Sequence, residues 1–303
     1  MKLSFFDGAI REQRMFRFFK KNRQIPILIS MAGLLMSVAC VMPEAVRQFT
    51  AVATEASQQF PPFVRDLTAS CVRKQLADRP VNEITDASGE ARQSCKEFSD
   101  LEPSLLGALD VLTNYLNALN QLASNEVVSY DTQIDGFATK VQAAGKFGDG
   151  PVTAIKGLAK FLFDAAASGY QRKKLGPAIK AADADVATLA NALSTIVGDD
   201  YPRVLAVEEQ SVIERFRQTI QADKNKNPTT QLLLQDRWRE NLELFENKRR
   251  AARDCQQILA KIRDGHHQLA AQVDRWTAKE LYQTLWPYTA SIQQLVHDFQ
   301  AAF

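Results

Sequence analysis

From residue 49 onward, apolar positions recur at steps of three and four, the spacing that gathers them on one face of an α-helix. Phe49, Val52, Ala56, Phe60, Phe63, Leu67 and Cys71 form the first such stripe, and Pro61 with Pro62 predicts a break or kink within it. The polar stretch between Cys71 and Cys95, "VRKQLADRPVNEITDASGEARQS", reads as loop. A second helix is predicted from about Pro103 to Ala123. Leu105, Leu109, Leu112, Leu116 and Leu119 are its stripe, Ala108, Tyr115 and Leu122 widen it, and Ser99 or Asp100 is placed to cap it. A short third helix is predicted from Ser129 through Ile134, Phe137 and Val141. The glycine-rich "AGKFGDGP" is a turn, and Pro151 then opens a fourth helix carrying Val152, Ile155, Leu158, Leu162, Phe163 and Ala166. Lysines along that helix and its basic end suit either a core helix with a polar rim or a helix lying in a membrane interface.

The pattern lengthens after Pro177. Ile179, Ala182, Val186, Leu189, Leu193 and Ile196 alternate steps of three and four, which is a heptad seam. "GDDYP" (Gly198–Pro202) interrupts it as a kink or short break, and Leu205, Val212, Phe216 and Ile220 carry the pattern on to Ala222. "DKNKNPTT" (Asp223–Thr230) is a turn. Beyond it, Leu234, Trp238, Phe245, Ala252, Cys255, Leu259, Ile262, His266, Leu269, Val273 and Trp276 share one register, interrupted only by Asn241 and Lys248. Two arms of similar length joined by a short turn predict a long antiparallel helical hairpin. Thr277 and Glu280 make a capping box for a further helix, which Pro287 is expected to divide from the last one, with Ile292, Leu295, Val296 and Phe299. No segment alternates convincingly as a strand, so the expected fold class is all-α, an elongated antiparallel bundle.

Composition and charge add a second theme at the N-terminus. Of 37 Lys and Arg and 35 Asp and Glu in 303 residues, seven basic and two acidic residues fall in the first 39. The remainder is slightly acidic, with 30 basic and 33 acidic side chains, so no electrostatic footprint for nucleic acid exists. The basic segment "RMFRFFKKNRQ" precedes twelve uncharged residues, Ile25–Met36, which together have the layout of an export signal. Read on to Met42, the uncharged run is eighteen residues, marginal for a membrane-spanning anchor.

The stretch "MSVAC" (Met36–Cys40) resembles the lipobox of bacterial lipoprotein precursors. Ala39 supplies the small residue ahead of the cysteine, while Ser37 stands where the class most often has leucine. The resemblance covers the first forty residues. It implies that Cys40 receives the lipid, that the chain is cut before it, and that residues 1–39 are a signal peptide whose true start is Met1 or Met15. Several acyl chains hold a protein firmly, each buried methylene contributing about 0.8 kcal/mol. Val41 rather than aspartate after the cysteine favours the outer membrane, facing the periplasm, if the envelope is Gram-negative. The other reading is an uncleaved signal anchor in which Cys40 is incidental. Export places Cys71 and Cys95 in an oxidising compartment, where a disulfide between them is expected to contribute about 3 kcal/mol, leaving Cys255 unpaired.

Chemistry is sparse. There is no P-loop, dinucleotide fingerprint, Gly-x-Ser-x-Gly elbow or Cys-x-x-Cys pair, and no histidine has glutamate three residues before it. No cofactor, metal site or catalytic residue is assigned. "DGHH" reads as one packed histidine, His266, and one solvated, His267, with a metal or acid–base role as the sharper alternative. The acidic pairs Asp199–Asp200 and Glu208–Glu209 read as solvated faces or caps. Lys248, Arg249, Arg250 and Arg253 form a basic patch, either a solvated face paired with Glu240, Glu243 and Glu246 or a surface for an anionic partner. The expected organisation is a head at 40–175 with the disulfide loop, the hairpin at 177–276, and C-terminal helices at 277–303 packing on the bundle. The expected function is that of a lipid-anchored, non-catalytic envelope component that binds a protein partner, bridges or supports, with self-association through the long seam as a further option. A membrane-active hairpin and an enzyme or metal protein with a cryptic site are the competing classes.

Overall fold

The structure, a computed structural model, describes residues 42–79, 84–126, 128, 147–167, 174–222, 227–273 and 277–302. They form α1 (Met42–Ser57), α2 (Pro61–Ala77), α3 (Ile84–Ser94), α4 (Lys96–Ala123), α5 (Asp149–Ala167), α6 (Leu175–Thr195), α7 (Tyr201–Ala222), α8 (Pro228–Gln272) and α9 (Ala278–Ala302), with a π-helical turn, Ile196–Asp200, between α6 and α7. No strand occurs among the described residues. The fold is an all-α helical bundle. The helix expected from Ser129 to Val141 lies outside the described residues, as does Trp276.

Prolines account for most boundary differences. Pro61 and Pro62 make the expected break and start α2, because proline's fixed φ suits the first turn, where its missing N–H is not needed. Pro103 and Pro287, by contrast, lie inside α4 and α9, so Pro103 does not start its helix and Pro287 does not divide the C-terminal one. The carbonyls these prolines leave unbonded belong to Ser99 and Gln283, four residues earlier, and both residues are exposed, so water can take the bond. Between α6 and α7 the π-turn widens the backbone where Pro202 would otherwise press on the carbonyl of Gly198, and the arm continues through "GDDYP" without ending. Asn227 Oδ1 accepts from Thr229 N at 2.9 Å and caps α8. Thr277 N donates to Glu280 Oε2 at 2.9 Å, and Glu280 N to Thr277 Oγ1 at 3.4 Å, closing the capping box of α9.

The stretch between the cysteines is not all loop. It contains α3, in which Ala91 is buried, and Cys95, buried too, follows directly after it. Cys71 on α2 is bonded to Cys95, with Cα atoms 5.9 Å apart, and this bond with the packing of α3 on α2 holds the element. The enclosed loop of 24 residues sets the entropic gain at about 3 kcal/mol. The double variant Cys71→Ala/Cys95→Ala should lose about that much in urea unfolding, and reduction of the native chain should give the same loss.

One continuous core runs from Ala45 to Phe299, and residues 38–303 form a single compact unit. The head and the hairpin therefore do not have separate cores. α1 packs on α4 and α9, α2 on α7, α5 on α6, and α6 and α9 on α8. α4 is the central helix, with Leu105, Leu112, Tyr115, Leu116 and Leu119 all buried. The 45 residues of α8 span about 68 Å, and α6–α7 run back along it antiparallel: Asp183 meets His266, and Phe216 meets Trp238 with ring centroids 5.4 Å apart.

Gly265 marks where three helices meet. A Cβ there would overlap the buried ring of Phe49 from α1 and lie 3.3 Å from Tyr288 Cβ on α9. Helix propensity alone favours alanine at this position by about 1 kcal/mol, but overpacking costs about 1–3 kcal/mol. Gly265→Ala should therefore destabilise the protein, by about 1 kcal/mol net in chemical denaturation.

Candidate functional site

Among the described residues two polar clusters are buried in the bundle, one around Lys248, which interrupts the α8 register, and one around His266, which lies in it. The first surrounds Lys248. α8 needs an apolar residue at that position of its register and has a lysine, which is 6% exposed. Its Nζ donates to Asp66 Oδ2 at 2.8 Å and Oδ1 at 3.1 Å. Asp66, on α2, also accepts from Tyr201 Oη at 2.7 Å and pairs with the guanidinium of Arg73 at 3.0 Å. Arg73 in turn donates through Nε to Glu208 Oε1 at 2.5 Å and through Nη2 to Oε2 at 3.0 Å, and Ser70 Oγ donates to the same carboxylate at 2.6 Å. Three helices are thus tied at one point by two acids and two bases. Burial pushes the Asp66 carboxyl up, but hydrogen bonds from Lys248 and Arg73 outweigh it and hold it below the usual range. Burial and the Asp66 charge push the Tyr201 hydroxyl well up, so it stays a donor.

Glu208 is 3% exposed and part of this cluster, which corrects its reading as a solvated acid. Its neighbour Glu209 pairs across to Arg249 of α8, which also holds Glu246 at 3.2 Å. The basic patch is therefore divided. Lys248 and Arg249 are spent on internal partners, while Arg250 and Arg253 are exposed. The four do not form one cationic surface.

The second cluster is a relay from the core to the surface. Tyr115 and His266 are both fully buried, and Tyr115 Oη lies 2.8 Å from His266 Nε2. His266 Nδ1 is 3.0 Å from Asp183 Oδ1, and His267 Nδ1 is 2.8 Å from Asp183 Oδ2. A carboxylate only accepts, so both Nδ1 atoms carry protons and donate to Asp183, while Nε2 of His266 is hydrogen-bonded to the Tyr115 hydroxyl. The His266 bond, ahead of the opposing burial and then His267, holds the Asp183 carboxyl below its usual range. Burial pushes the Tyr115 hydroxyl well up. His266 is packed and His267 is solvated, as expected, but the partners Asp183 and Tyr115 were not foreseen. Asp183 sits in "ADAD" with nothing to distinguish it from a solvated acid.

This order of tyrosine, imidazole and carboxylate fixes the orientation of the imidazole between its two partners. Both inner groups are shut off from solvent, so the relay fixes the register of α4, α6 and α8. Among the described residues no group of three or more His, Cys, Asp and Glu is arranged to hold a metal ion. Cys255 is a buried free thiol whose pKa burial raises further. A surface groove of about 510 Å³ between α2, α3 and α4 is lined by Arg65, Thr68, Arg73, Arg92 and Glu102 among others. Among the described residues no helix is long and apolar enough to cross a membrane. Cys40 lies outside the described residues, two positions ahead of α1.

A second surface feature is the outer part of the hairpin. From Glu209 to Leu244 no described residue is buried. Ile220, Leu232, Leu233, Leu242 and Leu244 are exposed there, between 38% and 64%. Phe216 and Trp238 join the two helices there, and α7 also meets the end of α2, where Arg215 Nη1 donates to Leu76 O at 2.8 Å.

Fold and polar core together define the class, an all-α helical bundle pinned by one disulfide and two buried polar clusters. No protein-family model matches the chain, and no curated protein or solved structure does either.

Proposed function

We propose that the chain is a lipid-anchored protein of the cell envelope that acts without catalysis, as a binding or scaffold component, and that the outer part of the hairpin is its docking arm. The lipobox-like Met36–Cys40 supports the anchor, and Val41 after the cysteine favours the outer membrane of a Gram-negative envelope. The observation that carries the docking role is the arm: thirty-odd residues of paired helix with exposed leucines and no buried residue from Glu209 to Leu244. A two-helix arm that keeps such apolar side chains in water is destabilised unless a partner covers them. The partner is an envelope protein or a second copy of the chain.

Two measurements test this. Trypsin cleavage after Arg47 of protein extracted from its native membrane should release "CVMPEAVR" carrying the mass of acyl chains on Cys40. An unmodified Cys40 within an uncleaved chain would refute the anchor. For the arm, a photo-crosslinking residue at Leu233 or Leu244 should give one discrete adduct in intact cells, and the same residue at exposed Lys180 on α6 should not. Equal, diffuse labelling at all three sites would remove the docking role.

A further inference from the structure

We infer that the exposed aromatic side chains Tyr282, Trp286 and Phe163, with Lys279, seat the anchored end of the bundle in the membrane interface. The inference rests on the anchored reading above and adds a second, non-covalent membrane contact to it.

Its first support is how the exposed apolar residues divide. Among the described residues the nine large ones comprise six aliphatic residues, on α7 and α8, and three aromatics: Phe163 on α5, and Tyr282 and Trp286 on α9. Tyr282 and Trp286 stack with centroids 5.8 Å apart and planes 21° from parallel, and Lys279 is exposed one turn before Tyr282. Tyrosine and tryptophan with a lysine beside them suit the headgroup layer, which accepts an apolar ring, a polar tip and a cation together.

Helix directions place these residues at the end where the anchor attaches. Phe49 of α1 and Tyr288 of α9 both press on Gly265, and farther along Val52 and Glu55 share a groove with Gln293, Val296 and His297. The two helices therefore run parallel, and the start of α9 lies beside the start of α1. Trp286 comes two residues before Tyr288, so it is level with Arg47, five residues beyond Met42 and about 8 Å along the axis. Tyr282 is nearly level with the helix start. α5 runs antiparallel to α6, since Gly150 approaches Thr188 and Gly157 approaches Asp185. α6 in turn runs antiparallel to α8, so Phe163 near the end of α5 returns to the same end. Two peptide units cannot carry Cys40 more than about 8 Å from α1. A headgroup layer about 5–8 Å deep reaches the same distance up the bundle. Glu280, the one acid on this stretch of α9, is turned back into the capping box by Thr277.

The arm lies at the other end. From Trp238 to Gly265, α8 rises about 40 Å, so the seated molecule holds its exposed leucines well clear of the lipid.

The test uses the full lipidated chain in vesicles of phosphatidylethanolamine and phosphatidylglycerol whose acyl chains are brominated near the headgroup. A variant with Trp238→Phe and Trp276→Phe leaves Trp286 as the sole tryptophan, and its fluorescence should fall by half or more relative to unbrominated vesicles. A variant with Trp276→Phe and Trp286→Phe leaves Trp238, which should be quenched little or not at all. The mass of the Cys40 peptide is read from the same vesicles. Acylated Cys40 with an unquenched Trp286 overturns the inference and leaves the anchored reading standing. Equal quenching of Trp238 and Trp286 also overturns it, because the molecule then lies flat. An unmodified Cys40 overturns the anchored reading and the inference with it.

Discussion

Asp66→Ala should lower the unfolding free energy by about 4 kcal/mol. The carboxylate is the shared acceptor for Lys248, Arg73 and Tyr201, which come from α8, α2 and α7. Removing it leaves Lys248, nearly closed off from water, as an uncompensated charge, and leaves the Tyr201 hydroxyl without its acceptor. Breaking a buried pair costs far more than the pair contributes, because the remaining charge cannot recover its hydration. Arg73 keeps Glu208, which limits the damage at that end of the network. Arg250→Ala and Arg253→Ala, on the same helix but exposed, should each change stability by about 0.5 kcal/mol or less. Urea unfolding of the three variants checks the contrast. Similar small losses in all three would mean that Lys248 is hydrated and the cluster is not closed.

His266→Ala should cost about 4 kcal/mol, part from the cavity left by a fully buried imidazole and part from the stranded Tyr115 hydroxyl. Tyr115→Phe removes only the hydroxyl and should cost about 1 kcal/mol. In the double variant no hydroxyl is left stranded, so the two losses should fall short of additive by about 1 kcal/mol or more. Additive losses would show that the two side chains do not bond. The carboxylate end of the relay sets the pH dependence. The folded pKa of Asp183 is depressed, first by His266, and that of Asp66 is depressed by Lys248 and Arg73 against burial. Each contribution is therefore complete above the unfolded-chain value near about pH 4 and is lost as the pH falls below that, through the depressed folded values. Acid unfolding of Asp183→Asn should show a flatter loss of stability over that window than the native chain.

The residues that escaped sequence reading share one property. Asp66, Glu208 and Asp183 are acids on helices with ordinary polar neighbours, and only an opposing helix makes any of them a partner for a buried base. Lys248 and His266 were visible because they sit in an apolar register, where a polar side chain needs a partner. The register does not say which residue answers it, because Asp66 is 182 residues away from Lys248 and Tyr115 is 151 from His266. The basic run Lys248–Arg253 failed as a unit for the same reason: successive helix positions face different directions, and two of the four met acids on other elements. α3 escaped because its sequence is mostly polar, and the disulfide at Cys95 that ties it to α2 joins residues 24 apart in the chain.

Sequence by itself determined the helical class, the two long arms, the capping box at Thr277 and the packed and solvated halves of His266–His267. These follow from periodicity and from local hydrogen bonding over three or four residues, which a linear chain displays directly. Only the tertiary structure decided that proline would start α2 yet ride inside α4 and α9, and that Gly265 is required where α1, α8 and α9 cross. It also decided that the N-terminal helices and the hairpin share one core and that no described residue from Glu209 to Leu244 is buried. Those outcomes depend on which faces meet and which carbonyls face water. Contacts between residues distant in the chain fix both.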